Sequence, residues 1–564
     1  MIYMKNGFKI SWVKYLGYLY QLFISFPEIL QWNRDRKNNL INLCFNFVPI
    51  SISDISIFDG SDANIFELTK IIADLNDSNF NNSIAQYMTA VYYLEGKGVK
   101  KNYEKAIEYF QKAGKQGIAP AFYQIGLLYY IGYGVNKKYK KAYEYFKKAA
   151  ELGSSDAKVE IGYFYENGFH VDKNYNEAFK WYSDAAKSSN PKAYRRLSFC
   201  YHDGHGIEKN YKEAFKWIKK ASFRDKKYML YLGNYYYEGK GVKQNYKKAV
   251  KSYKKGTKVK YKDYYSAISY RNLGYCYYYG KGIKQDYKAA YNCYLNAAEQ
   301  NDAEAELELG DIFLNGLGVE KNPHEAFTWF NKAAEQGFEK AQVLTYRMLF
   351  CGYGTEKNKA KGVSWLLKAV QKNDDMALFY LGELYEEGKF YNKDIKKAFE
   401  YYKKSAEQNN KNGLMKVAFC YLYGNGVNID YNWALEYFNK AAQKKKDAYF
   451  YIGYMYYKGL GVEKDINKAV QFIQKAEGEG VPDSLYYMGL FYYYGIGKIK
   501  KNIAKARDYF HRAELAGISE AVNAIERLES NNNAIELNYR LHTYTDYSFS
   551  YEDHFSIENY DIEI

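Results

Sequence analysis

The chain has 564 residues, with 81 Lys and Arg against 65 Asp and Glu and a formal charge of +16. Apolar residues make up 47%, which allows a large core and excludes wholesale disorder. Six cysteines exclude a dense disulfide framework, six prolines exclude collagen-like and Pro-rich classes, and no apolar run approaches the ~20 residues of a membrane span.

Residues 1–64 form a segment of their own, without an assigned module. Tyr15 to Phe26 is mainly apolar and follows Lys5, Lys9 and Lys14, like a poor signal segment, but Gln21 interrupts it and no small-x-small cleavage site follows. Phe47 to Phe58 alternates apolar and polar residues as a strand does. Ile65 to Leu75 reads as a leading helix, and residues 65–81 as the cap that a repeat array needs at its end.

From residue 82 to 527 one pattern recurs twelve times. A Gly-x-Gly pair stands at Gly96/Gly98, Gly132/Gly134 and eight later places, while Gly168 and Gly388 keep only the first glycine. Successive first glycines lie 35 or 36 residues apart, except for one step of 41. A fixed period of this size means stacked helical repeats. Before the glycines runs a stretch such as Ala121 to Tyr130, apolar at helical spacing; after a short polar loop comes a second amphipathic stretch such as Tyr139 to Ala150. A small residue, usually glycine, recurs six residues before the first glycine, as at Gly126, Gly162 and Gly310. Glycine within a helix costs about 1 kcal/mol against alanine, so its recurrence implies close helix approach. Alanines ten residues after the first glycine, such as Ala142 and Ala178, are expected to face it.

Leu273 to Ala298 and Ile452 to Ala476 carry Leu/Ile-Gly-x-x-Tyr-x-x-Gly-x-Gly followed by Asp-Tyr/Ile-x-x-Ala almost unbroken. This motif resembles the Sel-1-like repeat, a longer relative of the tetratricopeptide repeat, over about four-fifths of the chain. The resemblance implies an all-α fold, a right-handed superhelical α-solenoid of twelve helix-turn-helix repeats. It also implies roles seen across that family: assembly of quality-control complexes at the endoplasmic reticulum, activation of cell-wall synthesis enzymes, bacterial signalling and host interaction. Some secreted bacterial relatives staple each repeat with a cysteine pair, and this chain lacks a repeating pair. A cytoplasmic location is the expectation, with the secretory pathway or secretion as the alternative.

Several repeats depart from the pattern. The eighth carries Tyr346 and Gly362 where glycine and alanine are expected. The long step places about five extra residues around Lys258 to Tyr265. Residues 528–564 hold seven acidic residues and one arginine after Asn533, an acidic and aromatic tail expected to be flexible.

No phosphate loop, H-E-x-x-H or C-x-x-C occurs. Carboxylate doublets such as Glu386-Glu387 read as a solvated face. Cys200, Cys276 and Cys420 lie four residues before a first glycine, where other repeats put Leu128 or Phe164, so they read as core. His170, His202 and His205 sit in neighbouring turns and read as exposed side chains rather than a metal site. No cofactor, metal or catalytic residue is assigned, and the chain reads as no enzyme; a hydrolase-like relative is the remote alternative.

A partner is expected on the concave face formed by the first helices. Tyrosine three residues before the glycine recurs in ten of twelve repeats, a regularity that reads as packing. The stripe eight, five and one residues before the glycine changes along the chain. Its candidate partner-binding residues are Tyr231, Tyr275, Tyr279, Phe419, Tyr423, Tyr451, Tyr454, Tyr487 and Tyr494; burial against the next repeat is the competing reading. The reading is a scaffold or adaptor for a protein partner, an extended or helical segment. The alternative, nucleic-acid binding, rests on interleaved lysines and aromatics, but acidic residues are mixed among them.

Overall fold

The computed structural model describes residues 62–74, 80–259 and 263–529. The expectations for the amino-terminal segment and the acidic tail therefore lie outside the described residues. Every regular element among the described residues is helical. The chain divides within the sixth repeat into an amino-terminal body, ending at Cys276 and Gly280–Lys284, and a carboxy-terminal body of Tyr277–Tyr279 and everything from Gln285.

Each repeat is a helical pair. First helices run from Phe80–Glu95 in the first repeat to Pro482–Tyr494 in the twelfth, and second helices from Tyr103–Lys115 to Ile503–Leu515. The sequence sets both ends locally. Gly132 closes its helix at φ 83° and donates its N–H to the Leu128 carbonyl, a left-handed cap that only glycine adopts without cost. Second helices open on an Asn or Asp, such as Asn174 or Asp394, whose side chain accepts the N–H of the residue three further on, except in the second repeat, where Lys138 stands at that position without a side-chain cap. The second glycine serves stacking: a Cβ on Gly241 would stand 1.9 Å from the carbonyl oxygen of Tyr211, the first residue of the preceding repeat's second helix. Where the third repeat lacks that glycine, His170 takes the same left-handed backbone at φ 66°.

The helix glycines make room for a ring. A Cβ on Gly310 would meet Phe330 at 2.3 Å, and one on Gly382 would meet Tyr402 at 2.6 Å. The ring comes nearer than the alanine expected to face the glycine. Ala398 comes next, its carbonyl oxygen 3.2 Å from the same point at Gly382. The eighth repeat inverts the arrangement. Tyr346 is buried on the first helix, and the second helix answers with Gly362 and Leu366, so the volume is kept by exchanging large and small residues across the interface.

Helix Asp62–Asp74 buries Phe66 against the first repeat, its ring edge-on to Tyr93 at 5.1 Å. The long step is partly absorbed into a 16-residue first helix, Tyr264–Tyr279, that Asp263 starts with a capping box. Tyrosines join successive clusters of the core. Tyr165 borders the clusters on either side of the third repeat; Tyr380 and Tyr385 do the same at the ninth.

Candidate partner-binding face

The positions eight, five and one residues before each glycine lie on the first helices, and the two bodies are taken separately. In the amino-terminal body Tyr231 is half-buried, edge-on to Phe199 at 5.2 Å, and Tyr275 is half-buried, edge-on to Tyr237 at 6.1 Å. In the carboxy-terminal body Tyr279 is 46% exposed beside Tyr278. Tyr423, Tyr454 and Tyr494 are half-buried, and Tyr423 lies parallel to Phe419 at 6.1 Å. Phe419, Tyr451 and Tyr487 are fully inside, which withdraws them from the set a partner could reach. Tyr451 stacks on Phe438 at 5.2 Å, Phe419 meets Tyr451 at 4.8 Å, and Tyr487 meets Phe450 at 5.4 Å. In the last repeats these three rings of the stripe leave the face and pack inside, while Tyr423, Tyr454 and Tyr494 stay half-buried on it.

Charged groups share this face. In the ninth and tenth repeats Lys416 Nζ lies 2.6 Å from Glu386 Oε2, and the Tyr402 hydroxyl donates to the same oxygen at 2.6 Å. Glu386 is thus not a solvated carboxylate, as the doublet suggests; only Glu387 is exposed, paired with Lys389 at 3.0 Å. The third and fourth repeats repeat the device: Tyr182 donates to Glu166, and Arg196 Nη1 lies 3.4 Å from both Glu166 oxygens. The sequence carried a signal for it. An acid two residues before the first glycine occurs only in these two repeats, a tyrosine follows sixteen residues later, and a cation thirty residues later.

Beside the second bridge stands Glu383. Among the described residues it accepts no hydrogen bond and has no cation within ion-pair distance. Burial pushes its carboxyl up to about 7, opposed by Lys416 and Arg347 and reinforced by Glu386 and Glu387. Close by in charge, Lys445 is pushed down to about 8 by burial, with Lys411 and Lys416 adding to the effect, although its Nζ donates to Asn412 Oδ1 at 3.3 Å. An acid and an amine drawn toward their neutral forms mark a poorly solvated patch.

Most lysine–aromatic interleaving is used within the chain. Tyr129 stacks on Tyr145 at 5.9 Å and Tyr456 on Phe472 at 5.8 Å, while Lys141 and Lys468 lie over Tyr129 and Tyr456. Cys200, Cys276 and Cys420 are buried, and burial pushes the Cys200 and Cys420 thiols up to about 12. The turn histidines do not converge: His205 stacks on Tyr175 at 4.1 Å, His202 Nδ1 lies 2.7 Å from Asp203, and His170 meets Tyr143 edge-on. No group of potential metal ligands occurs among the described residues. None of the described helices is long and apolar enough to cross a membrane.

Stacked helical pairs of one period, with packing positions constant and face positions varied, define a helical-repeat solenoid of the class that serves as protein-interaction scaffolds. The chain belongs to the Sel1 repeat family. The family's "Sel1 repeat" profile matches at residues 83–118, 119–154, 155–190, 191–222, 227–257, 267–302, 303–338, 347–374, 375–410, 412–445, 446–480 and 482–518. That family is typically a non-catalytic scaffold fold. Among solved structures the chain is similar to c5321, described as a protective antigen of uropathogenic Escherichia coli with an SLR fold. Identity is 28%, with 85% of this chain and 99% of that one covered at a TM-score of 0.52. A Sel1 repeat protein from Oxalobacter formigenes is 28% identical over 44% of this chain and 96% of its own, with a TM-score of 0.39. No curated protein matches the chain.

Proposed function

We propose that the protein is a non-catalytic scaffold that holds a segment of a protein partner along the concave line of its first helices. The observation that supports this most is Glu383, a poorly solvated carboxyl without a hydrogen bond on a face where its neighbours Glu386 and Lys416 are bonded to each other. An interior built only for stability would pair such a group or replace it. Around it and further along lie the half-buried rings of Tyr380, Tyr454 and Tyr494, which offer rigid apolar area and a hydroxyl at low entropic cost, and that of Tyr423, which offers apolar area. Tyr231, Tyr275 and Tyr279 supply the same chemistry nearer the middle of the chain.

The test is affinity capture from cells with the wild type and with Tyr275, Tyr279, Tyr454 and Tyr494 changed to Ala. Partner recovery is expected to fall severalfold while circular dichroism stays unchanged. Unchanged recovery by a folded variant means the partner lies elsewhere; loss of helicity means these rings are core.

A further inference from the structure

The fourth repeat ends differently from most of the others. At the end of their second helices most repeats place a left-handed residue, such as Gly153, Ser189, Gly337, Asn373 or Asn409. The fourth has Asp225 there, at φ −139°. Its second helix runs on to Arg224, and a single 3-10 turn, Lys226–Tyr228, leads into the fifth repeat. The repeat profile breaks at this place, matching 191–222 and resuming at 227. The helix extension carries Phe223, whose side chain is 87% exposed. In the corresponding register other repeats have Lys115, Glu151, Lys187, Glu299, Glu335 and Glu407, so an apolar ring here is not part of the repeat's packing scheme.

Phe223 borders an open groove of about 610 Å³ that Tyr194 and Trp217 also line. Tyr194 and Trp217 lie 5.5 Å apart, and Lys220 covers the indole at 4.3 Å. The groove's one carboxylate, Glu213, is taken by Lys216 at 2.5 Å. Lys219, Lys220 and Arg224 are exposed, and no carboxylate among the described residues lies within ion-pair distance of them. Three unneutralised cations around an aromatic floor and one projecting ring form a surface with one chemical complement.

We propose that this groove is a second docking site, on the outer side of the fourth repeat, for an acidic peptide segment of a partner protein that carries an apolar anchor residue. The anchor covers Phe223 and the Trp217–Tyr194 floor, and the segment's carboxylates meet Lys219, Lys220 and Arg224. Burial of apolar area supplies affinity, and the charges supply orientation and on-rate.

Fluorescence polarisation with the full chain tests this. The probes are a labelled Glu/Asp-rich dodecapeptide with one phenylalanine, the same peptide with lysines in place of its acids, and a twelve-nucleotide oligo-dT. The acidic peptide is expected to bind, with at least about tenfold preference over the lysine peptide and weakening with salt. Phe223→Ser is expected to weaken it about five- to tenfold with an unchanged melting curve, because the ring is outside the core. The triple change Lys219→Glu, Lys220→Glu, Arg224→Glu is expected to abolish it. Equal binding of both peptides, affinity within twofold in either variant, no binding at all, or tighter binding of the oligonucleotide overturns the proposal. The concave face is untouched by these variants, so partner capture through it reports separately.

Discussion

The third and fourth repeats and the ninth and tenth carry the same bridge on the same register and surround it differently. In the first pair Tyr182, Glu166 and Arg196 join, and the adjacent carboxyl, Glu160, has the Tyr123 hydroxyl at 3.5 Å, with Lys192 and Arg196 opposing the upward push of burial. In the second pair Tyr402, Glu386 and Lys416 join at shorter range, and the adjacent carboxyl, Glu383, has no hydrogen bond. The repeat geometry supports the bridge, because in both pairs a side chain two residues before one glycine lies against one eight residues before the next. It does not dictate how the neighbouring groups are satisfied. That is where two copies of one architecture acquire different uses.

The largest expected effect separates the two bridges. Lys416 and Glu386 side chains are 10% and 20% exposed and 2.6 Å apart, whereas Arg196 and Glu166 are 19% and 25% exposed and 3.4 Å apart. Removing one partner of a buried pair leaves the other charge desolvated and is costly. Lys416→Met is expected to destabilise by about 2–4 kcal/mol and Arg196→Met by about 1–2 kcal/mol in urea unfolding. Equal losses would mean that the two bridges are interchangeable structural ties.

These differences explain what the sequence revealed. Period and helical pairing are local properties, so the glycine pairs such as Gly132/Gly134 and the two helical stretches around them could be read directly. That glycine accommodates a ring such as Phe330 was missed, because opposing positions sixteen to twenty residues apart are fixed by helix rotation rather than by a spacing rule. Face residues were the hardest. Tyr454 and Tyr451 have the same side chain three positions apart, yet Tyr454 stays half-buried and Tyr451 enters the core against Phe438. Only the crossing of neighbouring repeats decides between them.

Glu383 gives the comparison a pH dependence. Its folded-state value, about 7, lies above that of an unfolded glutamate, so between roughly pH 4.5 and 7 the folded state holds more protons than the unfolded one. Its contribution is favourable at low pH and is lost as pH rises through 7. Glu383→Gln should therefore stabilise the protein by about 1–2 kcal/mol at pH 8 and by close to nothing at pH 5. Urea unfolding at both pH values measures this. A benefit of equal size at pH 5 and 8 would show that charge is not the cause. If a partner uses this carboxyl, the same variant binds it more weakly while folding more stably.

The smallest effect concerns two hydroxyls. Tyr253 Oη in the amino-terminal body donates to Asn234 Oδ1 at 2.9 Å, and Asn272 donates to that oxygen at 3.0 Å. Tyr423 Oη in the carboxy-terminal body is buried and has no hydrogen-bond partner among the described residues. Tyr253→Phe is expected to cost about 1 kcal/mol, because it strips a bond from a closed network. Tyr423→Phe is expected to change stability by less than about 0.5 kcal/mol, or to raise it slightly, because a buried hydroxyl without a partner contributes only its desolvation penalty. A loss of about 1 kcal/mol in Tyr423→Phe would mean that the hydroxyl is already satisfied in the isolated protein. Stability unchanged together with weaker partner capture would place that hydroxyl in the complex, with the bond missing from the free scaffold made by the bound segment.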